Sequence, residues 1–560
     1  MEKVFEMGKT SAVGSFRLFI GVAISTVIMS IGTVILTRVL SANDYGLYTL
    51  AMSPTIMMIL FRDWGVNSAI TKQVASLRAA GKEDETCDVM LSGISFEVVT
   101  GVALSVLCFV LAGPFATLLG RPGISPYISV MSATILAGSL LISAQSSFVG
   151  YERMGLHSFT VICQALAKTA VAPVLVLLGY GVFGAVVGYT FSFIAGGTIG
   201  ITALYILVYR PISKKRTRTV QRSTVETLRP MLGYGVPLSI STIIYGLLAQ
   251  FYVFTMAIFI PNSVEGNSVI GNYNAALNFA VLLTFLTVPI STVLFPVFAK
   301  LNPQSERELV KSVFAASVKY ASILLIPATM MVMALSMPIV NTLFGEKYAY
   351  APLFLTLYVI NALYAAAGSL SLNSFLSGLG ETKMMMMQAF MTAPIGLTLA
   401  LVSIPLFQNT LGPAGPVFGV ILAINLATVP AITWGLHWIN KRFGAKADFK
   451  SSAKILAAST LAAALSFLTT IVLHDPLTQL TTRTTFQALI QLTIGTTVFL
   501  AAYVISAPLI GAVTQSDITS LRTLLAGLGS IAKIANIPMD AAEKILQIKN
   551  HRKSQNAHMS

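Results

Sequence analysis

Charged residues are scarce in this 560-residue chain. Asp, Glu, Lys and Arg make up 10% of it, hydrophobic residues make up 55%, and the mean hydropathy is +0.79. Ordinary globular domains carry about 25% charged residues, so the composition excludes a soluble protein and predicts a polytopic membrane protein. The three cysteines, Cys87, Cys108 and Cys163, have neither paired spacing nor clustered histidines. We therefore predict neither a disulfide nor a metal site and interpret them as packing residues.

Signatures of catalysis are also missing. No glycine-rich phosphate loop follows a predicted strand, and no set of Ser, His and Asp has an extramembrane domain to hold it. The five histidines do not pair with a carboxylate cluster. We expect no enzyme activity, no cofactor and no bound metal.

Long hydrophobic runs fill most of the chain instead. A helix needs ~20 apolar residues to cross the hydrocarbon core, and the first run is too long for a signal peptide and lacks a cleavage site. Spans five and six are separated only by a tight turn near Gly179, and spans eleven and twelve by the link Gly412–Pro416. We predict an all-α protein of about fourteen transmembrane helices, at residues 15–37, 46–68, 89–112, 127–150, 159–179, 183–208, 231–260, 269–298, 317–344, 352–378, 385–407, 414–440, 454–474 and 486–512.

The basic residues support this topology. Of the 36 Lys and Arg, 29 fall on one side of the predicted spans and four on the other, while Arg62, Lys168 and Lys319 lie inside or beside spans. Because basic loops stay in the cytoplasm, both termini are predicted to be cytoplasmic. The net charge of +15 then reflects topology and attraction to anionic lipids, and we expect no nucleic-acid partner.

The chain also contains an internal repeat. Gly46-Leu47-Tyr48 opens the second span and Gly271-Asn272-Tyr273 opens the eighth, and similar segments close spans four and ten at equal spacing. This pattern predicts two parallel six-helix units with the substrate site between them. The predicted regions are an N-lobe at 1–209, a basic cytoplasmic linker at 210–230, a C-lobe at 231–440, two extra helices at 454–512 and a basic tail at 513–560.

Two interpretations of the tail remain open. Leucine and isoleucine recur at helical spacing after Ser520 until Pro538, and Asp540, three residues before Glu543, is typical of a helix N-terminus. The tail is either an amphipathic helix on the inner leaflet or a disordered basic segment after Pro538.

Charges within spans are the first candidates for function, because they are costly there. Arg62, near the end of span two, either snorkels to the surface paired with Asp63 or faces a cavity. Glu97 in span three and Lys168 in span five lie at matching depths. They either neutralise each other or line a wet cavity, where Glu97 and Asp63 are candidates for binding a coupling ion.

An anionic lipid headgroup is a ligand that these side chains suit. Arginine binds phosphate oxygens bidentately, and lysine adds a point charge, so Arg62 and Lys168 are candidate substrate-binding residues. The asparagines of span eight either hydrogen-bond sugars or join helices to one another; they are Asn272, Asn274 and Asn278.

Several motifs occur in a family-specific order. They are Thr37-Arg38-Val39-Leu40-Ser41, Asp44-Tyr45-Gly46-Leu47-Tyr48, Asp63-Trp64-Gly65, Gly271-Asn272-Tyr273-Asn274-Ala275-Ala276, Leu294-Phe295-Pro296, and Gly378-Leu379-Gly380 with Lys383. Together they resemble polysaccharide transporters, the O-antigen-flippase-like oligosaccharide flippases of the multidrug/oligosaccharidyl-lipid/polysaccharide exporter superfamily.

The resemblance implies a V-shaped bundle of two pseudo-symmetric six-helix lobes plus two C-terminal helices. Such a protein carries a polyprenyl-phosphate- or pyrophosphate-linked oligosaccharide to the outer leaflet of the cell membrane by alternating access, for surface polysaccharide or protein glycosylation. In the related lipid II flippases, arginines on spans one and two face the pyrophosphate, and Arg38 and Arg62 match their positions. Ala276 stands where that branch has a further arginine, and Lys168 is the candidate replacement.

Other functions remain open. A lipid II flippase is one, and a cation-coupled multidrug antiporter of the same superfamily is another, although spans one and seven lack the buried acid it would need and leave only Glu97. A third possibility is a scaffold that recruits glycosyltransferases. In that case, replacing Arg38 and Arg62 with alanine would leave flipping intact. The partners we expect are the lipid-linked oligosaccharide, anionic lipids, and glycosyltransferases or a polymerase of the same pathway, with the protein itself a monomer.

Overall fold

The computed structural model describes residues 2–214, 223–283, 287, 290–291, 294, 298, 305–525, 536 and 538–549. Within these ranges, every regular element is a helix. Nine helical segments there are long and apolar enough to cross a membrane, or ten if the bent pair Ala351–Ala367 and Ser369–Gly378 is one span. The prediction of an all-α, multi-pass membrane protein is confirmed. The count of fourteen stays a prediction, because parts of span eight lie outside the described residues. Parts of the predicted linker and tail also lie outside them.

Two of the nine segments each contain a pair of helices. Met154–Ser213 and Lys383–Phe443 are 60 and 61 residues long, which as single helices would be about 90 Å, three times the hydrocarbon core. Gly179 (φ 94°) and Gly412 (φ 65°) interrupt them. Glycine adopts this left-handed conformation without steric cost. The predicted turns at Gly179 and at Gly412–Pro416 are therefore confirmed.

Packing divides the chain into two compact units. The first contains Met1–Asn274 and Ala393–Ala423, and the second contains Ala275–Thr392 and Ile424–Ser560. The six-helix lobes drawn from the repeat stay a prediction.

The α-helices between Glu2 and Ala280 are α1 (Glu2–Val39), α2 (Ala42–Ile59), α3 (Val66–Ala79), α4 (Glu83–Val110), α5 (Ala112–Leu118), α6 (Ser125–Met131), α7 (Ala133–Gly150), α8 (Met154–Leu175), α9 (Gly181–Leu204), α10 (Arg210–Ser213), α11 (Thr224–Phe259) and α12 (Val264–Ala280).

Small residues bring α1 against α8 in the first unit. The Thr169 hydroxyl donates to the Ile28 carbonyl at 2.9 Å, and a Cβ on Gly32 would lie only 2.4 Å from that hydroxyl oxygen. Small residues at such a crossing let membrane helices approach closely. The other face of α1 exposes apolar side chains at helical spacing, as a lipid-facing helix does; they are Ile20, Ile24, Val27, Ile31 and Ile35.

Span two, predicted as one helix over 46–68, is broken. Helix α2 ends at Ile59 and α3 begins at Val66. Between them the backbone is left-handed at Trp64 (φ 48°) and Gly65 (φ 78°). A Cβ on Gly65 would lie 2.3 Å from the Gly235 carbonyl oxygen in α11, so the close approach requires glycine. The prediction of a continuous helix is therefore wrong. Hydropathy does not reveal the break, because the sequence is largely apolar on both sides of it, and the break accompanies close packing against α11.

The repeated glycines meet where α2 crosses α12. A Cβ on Gly46 would lie 2.0 Å from the Asn267 carbonyl oxygen, and a Cβ on Gly271 would lie 2.0 Å from the Ala42 carbonyl oxygen. The contact is reciprocal, since each glycine meets the residue one helical turn before the other glycine. This symmetry fits the duplication inferred from the sequence.

Ten α-helices follow between Arg307 and Leu525. Phe375 lies at the centre of the aromatic core of the second unit, with ring centroids 5.1–5.5 Å from those of Phe298, Phe314 and Phe443. The helices are α13 (Arg307–Ala334), α14 (Ser336–Leu343), α15 (Ala351–Tyr358), α16 (Ser369–Gly378), α17 (Thr382–Leu411), α18 (Gly415–Phe443), α19 (Phe449–Val472), α20 (His474–Leu480), α21 (Thr484–Ile510) and α22 (Gln515–Leu525).

The described part of the tail packs against other helices of the second unit. Asp517 of α22 forms an ion pair with Lys319 of α13 at 2.7 Å. Leu546, in the helical residues 538–549, is buried against α19 and α21. Asp540 lies within this helical segment and pairs with Arg522. The disordered interpretation is thus wrong for residues 538–549. Residues 526–535, 537 and 550–560 lie outside the described residues.

Candidate functional site

The break between α2 and α3 carries two charged residues. The Arg62 side chain is only 4% exposed. The Asp63 carboxylate accepts hydrogen bonds from the backbone N–H of Asn67 at 2.8 Å and from its side-chain amide at 2.9 Å. It therefore satisfies a backbone donor in the first turn of α3, which has no partner inside the helix. The position of Asp63 is explained by local structure, whereas that of Arg62 is not.

Glu97 of α4 is the carboxylate that faces Arg62. Its side chain is 0% exposed, and its Oε2 lies 3.1 Å from Arg62 Nε, while its Oε1 accepts a hydrogen bond from the Asn67 amide at 2.8 Å. Neither Nε nor Oε2 makes a hydrogen bond with a described residue. Charge attraction rather than hydrogen-bond geometry therefore joins this pair.

Two interpretations from the sequence are corrected by this pair. Arg62 neither snorkels nor pairs with Asp63, since adjacent residues point in different directions and α4 packs across the break. Glu97 pairs with Arg62 rather than with Lys168. Equal depth in the membrane does not bring two side chains together unless their helices also turn them toward each other.

Lys168 of α8 has an aromatic neighbour instead. Its Nζ lies 5.4 Å from the centroid of the Tyr189 ring in α9, within the range of a cation–π contact. Tyr189 in turn packs on Phe193 at 5.2 Å between centroids. Among the ion pairs of the described residues, none includes Lys168. The residue as a whole is half-buried.

Gly138 of α7 links the two cations. A Cβ at this position would lie 3.1 Å from Arg62 Nη1 and 3.5 Å from the Phe193 ring. The absence of a side chain therefore lets the guanidinium and the aromatic pair approach the same point of α7. Gly138 is thus a common neighbour of Arg62 and of Phe193, whose ring packs on the Tyr189 ring that Lys168 contacts.

Neither the Arg62–Glu97 pair nor the Lys168–Tyr189 contact includes the other predicted site residues. Arg38 is exposed in the last turn of α1. Asn274 donates to the Ile270 carbonyl of its own helix at 3.0 Å, and Asn278 is exposed. None of the contacts of Arg62 with described residues involves Arg38 or Asn274.

A second buried arginine was not predicted as important. Arg121, after α5, is 1% exposed, and its guanidinium donates to Asn267 Oδ1 and to the carbonyls of Leu119 and Ala257, each at 2.7 Å, and of Ile260 at 3.2 Å. Burial lowers the pKa of Arg121 to about 10. The sequence signal was its isolation, since that side of the predicted topology has only four basic residues.

Comparison with known proteins places this architecture. The model of the family described as polysaccharide biosynthesis proteins matches residues 12–302, more than half of the chain. The chain belongs to this family. Two curated relatives are each 24% identical: the lipopolysaccharide biosynthesis protein WzxC of Escherichia coli over 61% of this chain and 65% of its own length, and the succinoglycan biosynthesis transport protein ExoT of Rhizobium meliloti over 57% and 59%. The chain thus spans less than two thirds of either relative.

Solved structures of two transporters share the fold. The lipid II flippase MurJ in an inward closed conformation aligns with a TM-score of 0.64 at 16% identity, over 88% of this chain and 98% of its own. An inward-facing multidrug resistance transporter of the MATE family, MOP superfamily, aligns with a TM-score of 0.59 at 16% identity, over 76% and 98%. At this identity, the likeness concerns the fold alone.

The motifs that resemble those of the polysaccharide biosynthesis family have structural roles in this member. Ser41 caps α2 by accepting the Asp44 N–H at 3.1 Å, Gly46 meets α12, and Gly65 allows the break. The partners of Arg62 lie outside these motifs, in α4 and α7. The motifs therefore shape the framework, and neighbouring helices complete the site.

Proposed function

We propose that this protein is a flippase that moves a polyprenyl-phosphate- or pyrophosphate-linked oligosaccharide from the cytoplasmic to the outer leaflet of the cell membrane by alternating access, for surface polysaccharide or protein glycosylation. Arg62 carries this proposal. It is buried and always charged, and no described residue accepts a hydrogen bond from its guanidinium. Such a group can bind two phosphate oxygens at once.

Lys168 would supply the second positive charge of the site. Its ammonium contacts the Tyr189 ring, which packs on Phe193, and a half-buried lysine attracts a phosphate as a point charge. Several kinds of anion would suit these two cations. The family and the names of the two curated relatives favour a saccharide precursor as the anion that binds. Arg38, Asn274 and Asn278 stay candidates for contacts with the headgroup and the sugars.

The two alternatives have less support. A lipid II flippase would be expected to carry a further arginine where this chain has Ala276, which is fully buried. A cation-coupled drug antiporter would need Glu97 for its cation, but Arg62 already neutralises that carboxylate.

Lipid analysis of depleted cells tests the proposal. Cells depleted of the protein are analysed by mass spectrometry for lipid-linked saccharides, and an impermeant lectin reports their leaflet. We expect one completed species to accumulate on the cytoplasmic face. Unchanged lipid-linked saccharides would contradict the proposal and favour export of drugs or other small molecules.

Point variants locate the site within the same assay. We expect Lys168→Ala to reduce flipping by at least about tenfold, because one charge-assisted contact contributes roughly 1.5–3 kcal/mol, while insertion into the membrane stays normal. Arg483→Ala is the matched control, since Arg483 is exposed at the start of α21. Wild-type flipping in Lys168→Ala would remove this residue from the site. Both termini in the cytoplasm, anionic lipids at the basic side, a monomeric state and glycosyltransferase or polymerase partners remain part of the proposal.

A further inference from the structure

Glu97 occupies the position that a ligand of Arg62 would take. Its Oε2 faces the guanidinium at 3.1 Å without a hydrogen bond, while its Oε1 is held by Asn67. A carboxylate and a phosphate present the same kind of oxygen pair to arginine. The contact is therefore one that a phosphate can replace.

We propose that Glu97 is an internal competitor for the headgroup phosphate: it holds Arg62 while the site is empty, and it is displaced and takes up one proton when the headgroup binds. This inference rests on the proposed function and adds its regulation. No covalent bond changes. The proton comes from solvent and adds to the Glu97 carboxylate, which thereby loses the charge that Arg62 had balanced.

The surroundings of Glu97 explain why displacement would bring protonation. The side chain is fully buried, and a buried carboxylate that loses its cation is more stable when neutral. The other charged group at the break, Asp63, adds a negative charge and shares the Asn67 amide with Glu97. It would further disfavour a second ionised carboxylate.

Among the described helices that contact α4, α2, α5 and α6 have no Lys or Arg, and Arg210 of α10 is exposed. Helix α7 has no charged residue, and the charges of α11, Glu226 and Arg229, lie in its first turns. On α3, the Lys72 ammonium lies 3.9 Å from the Tyr234 ring centroid, and Arg78 pairs with Glu152. Lys72 and Arg78 therefore contact other groups, and Arg229 lies near the start of α11. Arg62 is the cation on which the charge of Glu97 depends.

Binding of a soluble prenyl pyrophosphate tests the proposal. The affinity of the purified, full-length protein for farnesyl pyrophosphate is measured between pH 6 and pH 8.5. If one proton is taken up with the ligand, the affinity of the wild type rises as pH falls, by up to about tenfold per pH unit. In Glu97→Gln, we expect tighter binding than in the wild type at pH 8 and a pH slope smaller by about one proton.

The control shows whether a change in slope is specific to Glu97. The titration of the ligand itself is the same for every variant and cancels in the comparison between them. Glu265→Gln, which changes an exposed acid of α12, keeps the wild-type slope. Calorimetry in buffers of different ionisation enthalpy counts the protons taken up by the wild type at pH 7.5 and needs no variant, so the test survives if Glu97→Gln folds poorly. We expect proton uptake there beyond that of the ligand.

The outcomes distinguish the two proposals. Binding with the same affinity and the same pH slope in the wild type and Glu97→Gln, or no proton uptake, would overturn the competitor role and leave the headgroup site intact. An absence of binding to the wild type at every pH would overturn both proposals. Weaker binding by well-folded Glu97→Gln would show that Glu97 supports the ligand and would also overturn the competitor role.

Discussion

Among the described residues, the first unit buries two arginines in opposite surroundings. Arg121 donates to a side-chain oxygen and to the carbonyls that end α5 and α11. Arg62 has one carboxylate at 3.1 Å and no hydrogen bond from its guanidinium to a described residue. Fixed peptide dipoles offset the energetic cost of burying Arg121. The cost of burying Arg62 is offset by the carboxylate of Glu97, a side chain that can move.

The difference teaches what burial of an arginine means. When every donor has a fixed acceptor, the side chain joins helices and has no capacity left for a ligand. When the donors lack acceptors, the same side chain keeps its capacity to bind an anion. The acceptors, rather than the exposed fraction, therefore separate a structural arginine from a candidate binding residue.

Removing Arg62 has the largest expected effect on this comparison. Arg62→Ala deletes the phosphate contact and leaves Glu97 buried without its cation, so we expect flipping in proteoliposomes to fall by about 100-fold and the free energy of unfolding to fall by roughly 3–5 kcal/mol. The double variant Arg62→Gln/Glu97→Gln should recover most of the stability but not the flipping. Flipping restored by the double variant would mean that Arg62 serves only to balance Glu97.

Arg121→Lys should affect stability alone. The variant keeps the positive charge but loses the planar fork, so carbonyls at the ends of α5 and α11 lose their donor. We expect the free energy of unfolding to fall by roughly 2–4 kcal/mol, measured by thermal unfolding in detergent, with unchanged binding of farnesyl pyrophosphate per folded molecule. Weakened binding without a loss of stability would reverse the roles assigned to the two arginines.

Asn267→Ala sharpens the structural half of the comparison. It removes the acceptor of Arg121 Nε, and we expect a loss of roughly 1–3 kcal/mol in unfolding free energy, since a buried donor is left unpaired. The control is Asn262→Ala, because Asn262 is exposed and contacts the Asn267 amide without touching the arginine. Equal losses in both variants would show that the loop, and not Arg121, needs Asn267.

Gly138→Ala gives the smallest predicted effect and sharpens the functional half. The new methyl group would lie 3.1 Å from Arg62 Nη1, which shifts the guanidinium by a few tenths of an ångström. We expect the affinity for farnesyl pyrophosphate to fall by roughly threefold with no change in thermal stability. Gly155→Ala, where a Cβ would meet open space, is the matched control. If both variants bind equally, the position of Arg62 does not depend on α7.

Much of the fold was predictable because it depends on local properties. Apolar runs predicted the helices, and the glycines at 179 and 412 predicted the turns, since hydropathy and left-handed backbone are properties of single segments. The break in span two was not, because Trp64 adopts its positive φ where α3 meets α11, a contact between residues far apart in the chain.

The site was predicted in composition but not in its contacts. Arg62, Glu97 and Lys168 were singled out because charges are rare in spans, and depth suggested that Glu97 and Lys168 pair. Counting residues gives the depth of a side chain along a helix, whereas its direction around the axis depends on which helices pack together. That direction places Glu97 on Arg62 and Lys168 on Tyr189.

By itself, the sequence determined that this chain crosses a membrane as helices and belongs with the polysaccharide biosynthesis proteins, because hydropathy and motif order need no partner segment. The tertiary structure alone decided which charges meet. It paired Arg62 with Glu97, left Lys168 on an aromatic ring, and enclosed Arg121 in carbonyls. The physical reason is that the energy of a buried charge depends mainly on the few groups nearest to it, and most of those groups come from other helices.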